Sequence, residues 1–144
     1  YLIIDDELMM AMRYAASRGV RVRLLLPGIP DKKIPYLIAQ SYFLPLLHYG
    51  VEIYTYTKGF VHSKVFVSDD VVCTVGTVNL DYRSLYLHFE NGVFFYNEEL
   101  AKTINEDFEK TVAESKKVTI EEVRNMSKIK KYTARILKLL APLM

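Results

Sequence analysis

Apolar and polar positions along the chain repeat in two periods, and the changes from one to the other mark the elements. Tyr1–Ile4 reads as a short strand. Asp5-Asp6-Glu7 then offer an N-cap and first-turn carboxylates. Leu8, Met12, Ala15 and Ala16 predict a helix to about Arg18, ended by Gly19. Val20–Leu26 alternates and then turns wholly apolar, which predicts a buried strand. A helix is expected from about Ile34, with Pro35 in its first turn, towards Tyr49. Pro45 should kink or break it and Gly50 should stop it. Val51–Tyr56 is the next strand. Val61–Ser68 and Val71–Gly76, joined by Asp69-Asp70, predict a hairpin. After an irregular polar stretch, Phe89–Tyr96 reads as a strand, and Asn97-Glu98-Glu99 caps a helix to about Ser115. Thr119 with Glu122 forms a capping box for another helix. Strands alternating with helices and then followed by more strands predict an α/β fold, a mixed β-sheet flanked by helices. The expected organisation is one domain over residues 1–117 and a helical segment over 118–144.

That last segment carries Ile129, Tyr132, Ile136, Leu139, Leu140 and Leu143 at helical spacing, opposite Lys128, Lys130, Lys131, Arg135 and Lys138. It reads as a basic amphipathic helix. Packing on its own domain or on a missing half fits this pattern, and so does lying on a membrane surface. Charge sharpens the picture. The net +2 divides into ten basic against fourteen acidic residues over 1–109, and nine against three over 110–144. A basic tail on an acidic body points to an acidic partner surface, lipid or nucleic acid.

Composition mostly excludes. Half the residues are hydrophobic and a quarter charged, which is not the signature of disorder. The single cysteine, Cys73, lies in an apolar run and reads as a buried thiol, so neither a disulfide framework nor a cysteine zinc cluster is expected. No run reaches the roughly 18 apolar residues of a membrane span. The chain opens without Met on Tyr1-Leu2-Ile3-Ile4, a strand already under way, and is expected to be a piece of something longer.

The chemistry concentrates in His62-Ser63-Lys64-Val65-Phe66-Val67-Ser68-Asp69 and Gly76-Thr77-Val78-Asn79. On a strand, His62 and Lys64 share a face, and Asp69 falls in the opposite phase, which assigns it to the turn. Two such polar side chains on an otherwise apolar strand need a reason, and an anion between them supplies one. An imidazole can attack phosphorus while an ammonium offsets charge on the equatorial oxygens. Thr77 and Asn79, again two apart, can donate to the same oxygens. By itself, a His-X-Lys pair on an apolar strand is far more often a rim pair than a catalytic one.

The full pattern is His62-X-Lys64, four residues, Asp69, six residues, then Gly76-X-X-Asn79. In this the chain resembles the phospholipase D superfamily. Arg21–Gly28, Ser41-Tyr42-Phe43, Gly59–His62, Asn79–Ser84 and the segment from Val118 onward extend the resemblance to that superfamily's bacterial cardiolipin synthases. The resemblance implies two such motifs on two similar halves that share one active site. One histidine attacks the lipid phosphorus to give a phosphohistidine. The other protonates the leaving alcohol and deprotonates the incoming one. It implies no metal and no cofactor. The substrate is phosphatidylglycerol, two molecules giving cardiolipin and glycerol, in a parent protein of the bacterial cell membrane that carries N-terminal transmembrane helices.

Carried onto this sequence, His62 is one of the two histidines, while Lys64, Thr77 and Asn79 bind phosphate. Thr77 stands where many members have Ser. Glu90 matches the acid that hydrogen-bonds a catalytic imidazole, a role like the acid of a triad. Asp81 and Arg83 are expected to pair around the site loop, and His48 and His88 to be non-catalytic. Tyr82, Tyr86 and Phe89 fit either a role in acceptor choice or the core. Only one motif is present, so the partner is either a missing N-terminal half or a second copy of this chain. Two other readings remain. One is a homodimeric phosphodiesterase acting on nucleic acid, which the acidic residues 1–109 disfavour. The other is a non-catalytic dimerising fragment, which the intact motif disfavours.

Overall fold

The computed structural model describes residues 1–143 as a mixed α/β fold. In chain order the elements are β1 (Leu2–Ile3), α1 (Asp6–Ser17), β2 (Arg23–Pro27), α2 (Lys33–His48), β3 (Glu52–Tyr56), β4 (Lys64–Ser68), β5 (Val72–Gly76) and β6 (Leu80–Asp81). A π-helical turn, Arg83–Leu87, comes next. It is followed by β7 (Gly92–Tyr96), α3 (Glu98–Ala113), β8 (Lys116–Lys117), α4 (Ile120–Asn125), α5 (Lys128–Lys138) and a 3-10 turn, Ala141–Leu143. The strands form three ladders. β1 pairs with β6 in parallel. β2 pairs with β3 in parallel, and β8 adds to β3 antiparallel. β4, β5 and β7 form an antiparallel meander.

Helix starts follow the capping residues. The Asp5 carboxylate accepts the Leu8 amide at 2.7 Å and Asn97 Oδ1 accepts the Leu100 amide at 3.0 Å. Thr119 and Glu122 exchange both bonds of a capping box. The expected break at Pro45 does not occur, and α2 runs unbroken to His48. The proline falls in the last turn and forfeits the one bond that its missing N–H would have made to the Ser41 carbonyl. Next to it Leu46 is fully buried, a contribution of about 2 kcal/mol that offsets much of the roughly 3 kcal/mol proline penalty. Gly50 then reverses the chain with φ +87°, a conformation that needs no Cβ.

α2 is the centre of the molecule. Its Ile38, Tyr42 and Leu46 are buried against Leu2 and Ile3 of β1 and Ile53 of β3. Residues 118–143 close over the same core through Val123 and Ala141. The strand expected over Val20–Leu26 is shorter, Arg23–Pro27, and only half-buried, because its apolar run lines a cavity while Leu24 and Leu26 also pack against the core. The last strand of the meander begins at Gly92 instead of Phe89, since the chain is still leaving the π-helical turn before it. Cys73 is buried in β5 with a free thiol.

Candidate active site

The β4–β5 hairpin is held by its turn. Asp69 and Asp70 both take left-handed backbone, φ 53° and 55°, the two-residue geometry that matches strand twist. Asp69 therefore sits at the hairpin tip, at the far end of β4 from Lys64, and serves the turn. At the open end, Lys64 lies in register with Gly76, and Gly76 with Gly92. A Cβ on Gly76 would lie 2.6 Å from the Gly92 Cα and even closer to the Asn91 carbonyl oxygen. The spacing of the motif therefore demands glycine there for close approach of two backbones.

β4 begins at Lys64, not Val61, so His62 does not share a strand with it. His62 lies in the irregular segment before the strand, its ring stacked on Phe60 with centroids 5.6 Å apart. Lys64 folds back so that Nζ donates to the His62 carbonyl at 2.6 Å. That bond couples the two residues without a ladder between them.

A cavity of about 310 Å³ opens beside them. His62, Lys64 and Asn79 all line it, facing the half-buried wall of Leu24, Leu25 and Leu26. Tyr1, Arg21, Arg23, Asp31, Asn105 and Phe108 also line it and were not assigned to the site from the sequence. The one hint was an arginine at each alternate position of an apolar strand, Arg21 and Arg23. Arg23 is largely buried. Its Nη1 lies 2.6 Å from Glu109 Oε1 without hydrogen-bond alignment, and its guanidinium sits 5.1 Å from the Phe108 ring centroid. Tyr1 donates its hydroxyl to Asp31 at 2.7 Å, and burial followed by that bond pushes its phenol up to about 12.

Thr77 and Glu90 form a pair next to the cavity. The Thr77 hydroxyl donates to the Glu90 carboxylate, and the Asn91 amide donates back to Thr77 Oγ1 at 3.0 Å. The Thr77 bond, then one from Ser84, hold the Glu90 carboxyl below its usual range. Some desolvation opposes this, and the charge of Lys64 adds to it. Behind this pair, Asp81 and Arg83 bind other partners than each other. Buried Asp81 accepts the Ser84 amide at 2.8 Å, and Arg83 donates to His88 Nε2. The π-helical turn separates them, bringing each side chain onto its own downstream neighbour. His48 is exposed at the end of α2. Tyr86, which donates to Asp5, and Phe89 are exposed, so neither is a core aromatic; half-buried Tyr82 packs against the core.

This arrangement can hold an anion between a cation and an amide, with an imidazole at its edge. The comparisons with known proteins agree in kind. A family model described as the phospholipase D-like domain of cardiolipin synthase matches residues 1–112. Over all 144 residues the chain is 46% identical to an uncharacterised protein of Streptococcus mutans, of which it covers 31%. It is 44% identical to a cardiolipin synthase of Clostridium perfringens, of which it covers 30%, and 36% identical to one of Halalkalibacterium halodurans, of which it covers 29%. It thus spans under a third of the length of these relatives. Among solved structures, Nuc of Salmonella typhimurium, a phospholipase D family member, superposes with a TM-score of 0.67 at 19% identity, over 82% of this chain and 77% of that one, a likeness of fold. By motif, fold and sequence, the chain belongs to the phospholipase D-like domain family of the cardiolipin synthases.

Proposed function

We infer that this domain supplies one half of an active site that transfers a phosphatidyl group from one phosphatidylglycerol to the glycerol hydroxyl of another. The observation that supports this best is the convergence of His62, Lys64 and Asn79 on one cavity. In the reaction, a histidine nitrogen attacks the lipid phosphorus and forms a P–N bond. The P–O bond to glycerol breaks, and the leaving oxygen takes a proton from the second histidine. The hydroxyl of the second lipid then returns that proton, attacks phosphorus and frees the imidazole, giving cardiolipin. His62 is one of these two histidines. Lys64 and Asn79 offset the charge that builds on the phosphoryl oxygens. Glu90, through Thr77, fixes the hydroxyl beside them. The other histidine comes from the rest of the longer protein or from a second copy of this chain. In either case the parent works at the bacterial cell membrane.

The test is to incubate the chain with phosphatidylglycerol in mixed micelles, alone and with the N-terminal remainder of its parent, and to follow glycerol release and cardiolipin formation. His62→Ala should lower turnover by a factor on the order of 10³ or more. Activity of the chain alone identifies a homodimeric site, and activity only with the remainder identifies a half-site. Silence in both arms overturns the lipid reading.

A further inference from the structure

α5 packs on the core by the wrong face for an ordinary amphipathic helix. Its buried residue is Ala134, continued by Ala141 in the turn that follows, with Leu137 partly buried beside them. Two lysines also face inward: Lys138 Nζ lies 4.2 Å from the Tyr42 ring centroid, and Lys131 donates to the Arg124 carbonyl. At 100° per residue, the opposite side of the helix carries Ile129, Tyr132, Ile136 and Leu139. These are 79%, 69%, 50% and 80% exposed, and Leu143 beyond them is 77% exposed. So the large apolar side chains form an outward ridge while small residues face the protein. By the same geometry Lys128 and Arg135, both exposed, border the ridge along one side.

From Arg124 to the end of the chain there are six cations and no Asp or Glu. This weighs against a second copy as the occupant. Two copies meeting ridge to ridge would bring like charges together with no carboxylate to answer them. An anionic bilayer answers both features, taking the apolar ridge into its acyl boundary and the bordering cations at its headgroups. We propose that the outward face of α5 is a docking surface for an anionic phospholipid bilayer. It is separate from the cavity and goes beyond the chemistry assigned there: it holds the domain on the surface whether or not the domain is turning over lipid.

The chain contains no tryptophan, so Ile136→Trp gives a single fluorescent reporter on the ridge. Its emission should shift to the blue on adding vesicles of phosphatidylglycerol and phosphatidylcholine. It should stay unshifted with phosphatidylcholine alone, and the shift should shrink as salt rises. Tyr14→Trp, exposed on α1, should not respond. In vesicle flotation, Ile129→Glu with Leu139→Glu should weaken binding about ten-fold or more, with helix content and thermal midpoint unchanged because both positions are exposed. His62→Ala should float like the parent chain. The double variant should match the parent in any turnover of monomeric short-chain phosphatidylglycerol. This keeps a failure of docking apart from a failure of the catalytic reading. No shift with any vesicle, an equal shift with neutral vesicles, or a shift that grows with protein concentration without lipid overturns the proposal, the last in favour of self-association.

Discussion

The cavity and α5 depart from ordinary burial in opposite directions. Around the cavity, polar side chains sit among apolar ones: Lys64 on a strand of Val and Phe, Arg23 on a strand of Leu. On α5, large apolar side chains sit in the open while alanines and lysine stems face the core. Each departure leaves a surface unsatisfied by the protein itself, one for an anion and one for an apolar medium bordered by anions. Together they show that the informative residues are those that the fold does not need where they are.

The comparison breaks first at His62. If the cavity is chemical and α5 is not, His62→Ala removes turnover by the large factor given above and leaves vesicle binding intact. A variant that lost both together would mean that the two regions are one folding unit and not two functional ones.

The next largest effect separates the two faces of α5. Ala134→Glu places an unpaired carboxylate in the core and should destabilise the chain by about 3 kcal/mol. Ile136→Glu, two residues away on the outward ridge, should change stability by no more than about 0.5 kcal/mol. Urea unfolding of the two variants measures the contrast, and equal losses would mean that the ridge is packed after all.

A third effect belongs to the hairpin. Gly76→Ala pushes a methyl into the Asn91 carbonyl and the Gly92 backbone, which cannot give way as a side chain could. A loss of about 1–3 kcal/mol is expected, together with lost turnover, because the strand end that carries Lys64 shifts with it. Gly92→Ala has more room, its nearest neighbour lying 3.6 Å from the added carbon, and should be milder.

Much of the fold was legible because its signals are local. Asp5, Asn97 and the Thr119–Glu122 box start helices by bonds that span three residues, and Asp69-Asp70 turns a hairpin by its own dihedrals. What misled were positions whose state depends on contacts far along the chain. Pro45 is tolerated because Leu46 is buried, and the strand around Arg23 is half-exposed because a cavity lies against it. The three site residues that converge were legible from the motif, but not their geometry. Strand phase joined His62 to Lys64, whereas a bent-back lysine does so in the fold. The Asp81–Arg83 pair failed for the same reason, since a π-helical turn has no signature in residue type. Tyr1 has no marker in the sequence as a cavity residue and Arg23 only its alternation with Arg21, because residue type does not tell which side of a strand faces a void.

The smallest expected effect bears on electrostatics alone. Glu90 titrates below its ordinary value of 4.5, with the Thr77 hydroxyl the largest cause. Its depressed value means that the contacts of the carboxylate are fully present above the ordinary range and are lost as pH falls through the lowered pKa. Thr77→Val removes the hydroxyl and should raise the Glu90 pKa towards its ordinary value, as read from the carboxyl carbon shift in an NMR titration. Thr77→Ser keeps the donor and should leave it low. α5 carries no carboxylate and no histidine, so the acid-range titration that disturbs the Thr77–Glu90 pair has no counterpart on the helix. If Thr77→Val left the Glu90 titration unmoved, the acid would be held by Ser84 and the surrounding cations, and Thr77 would be free to face the phosphate directly.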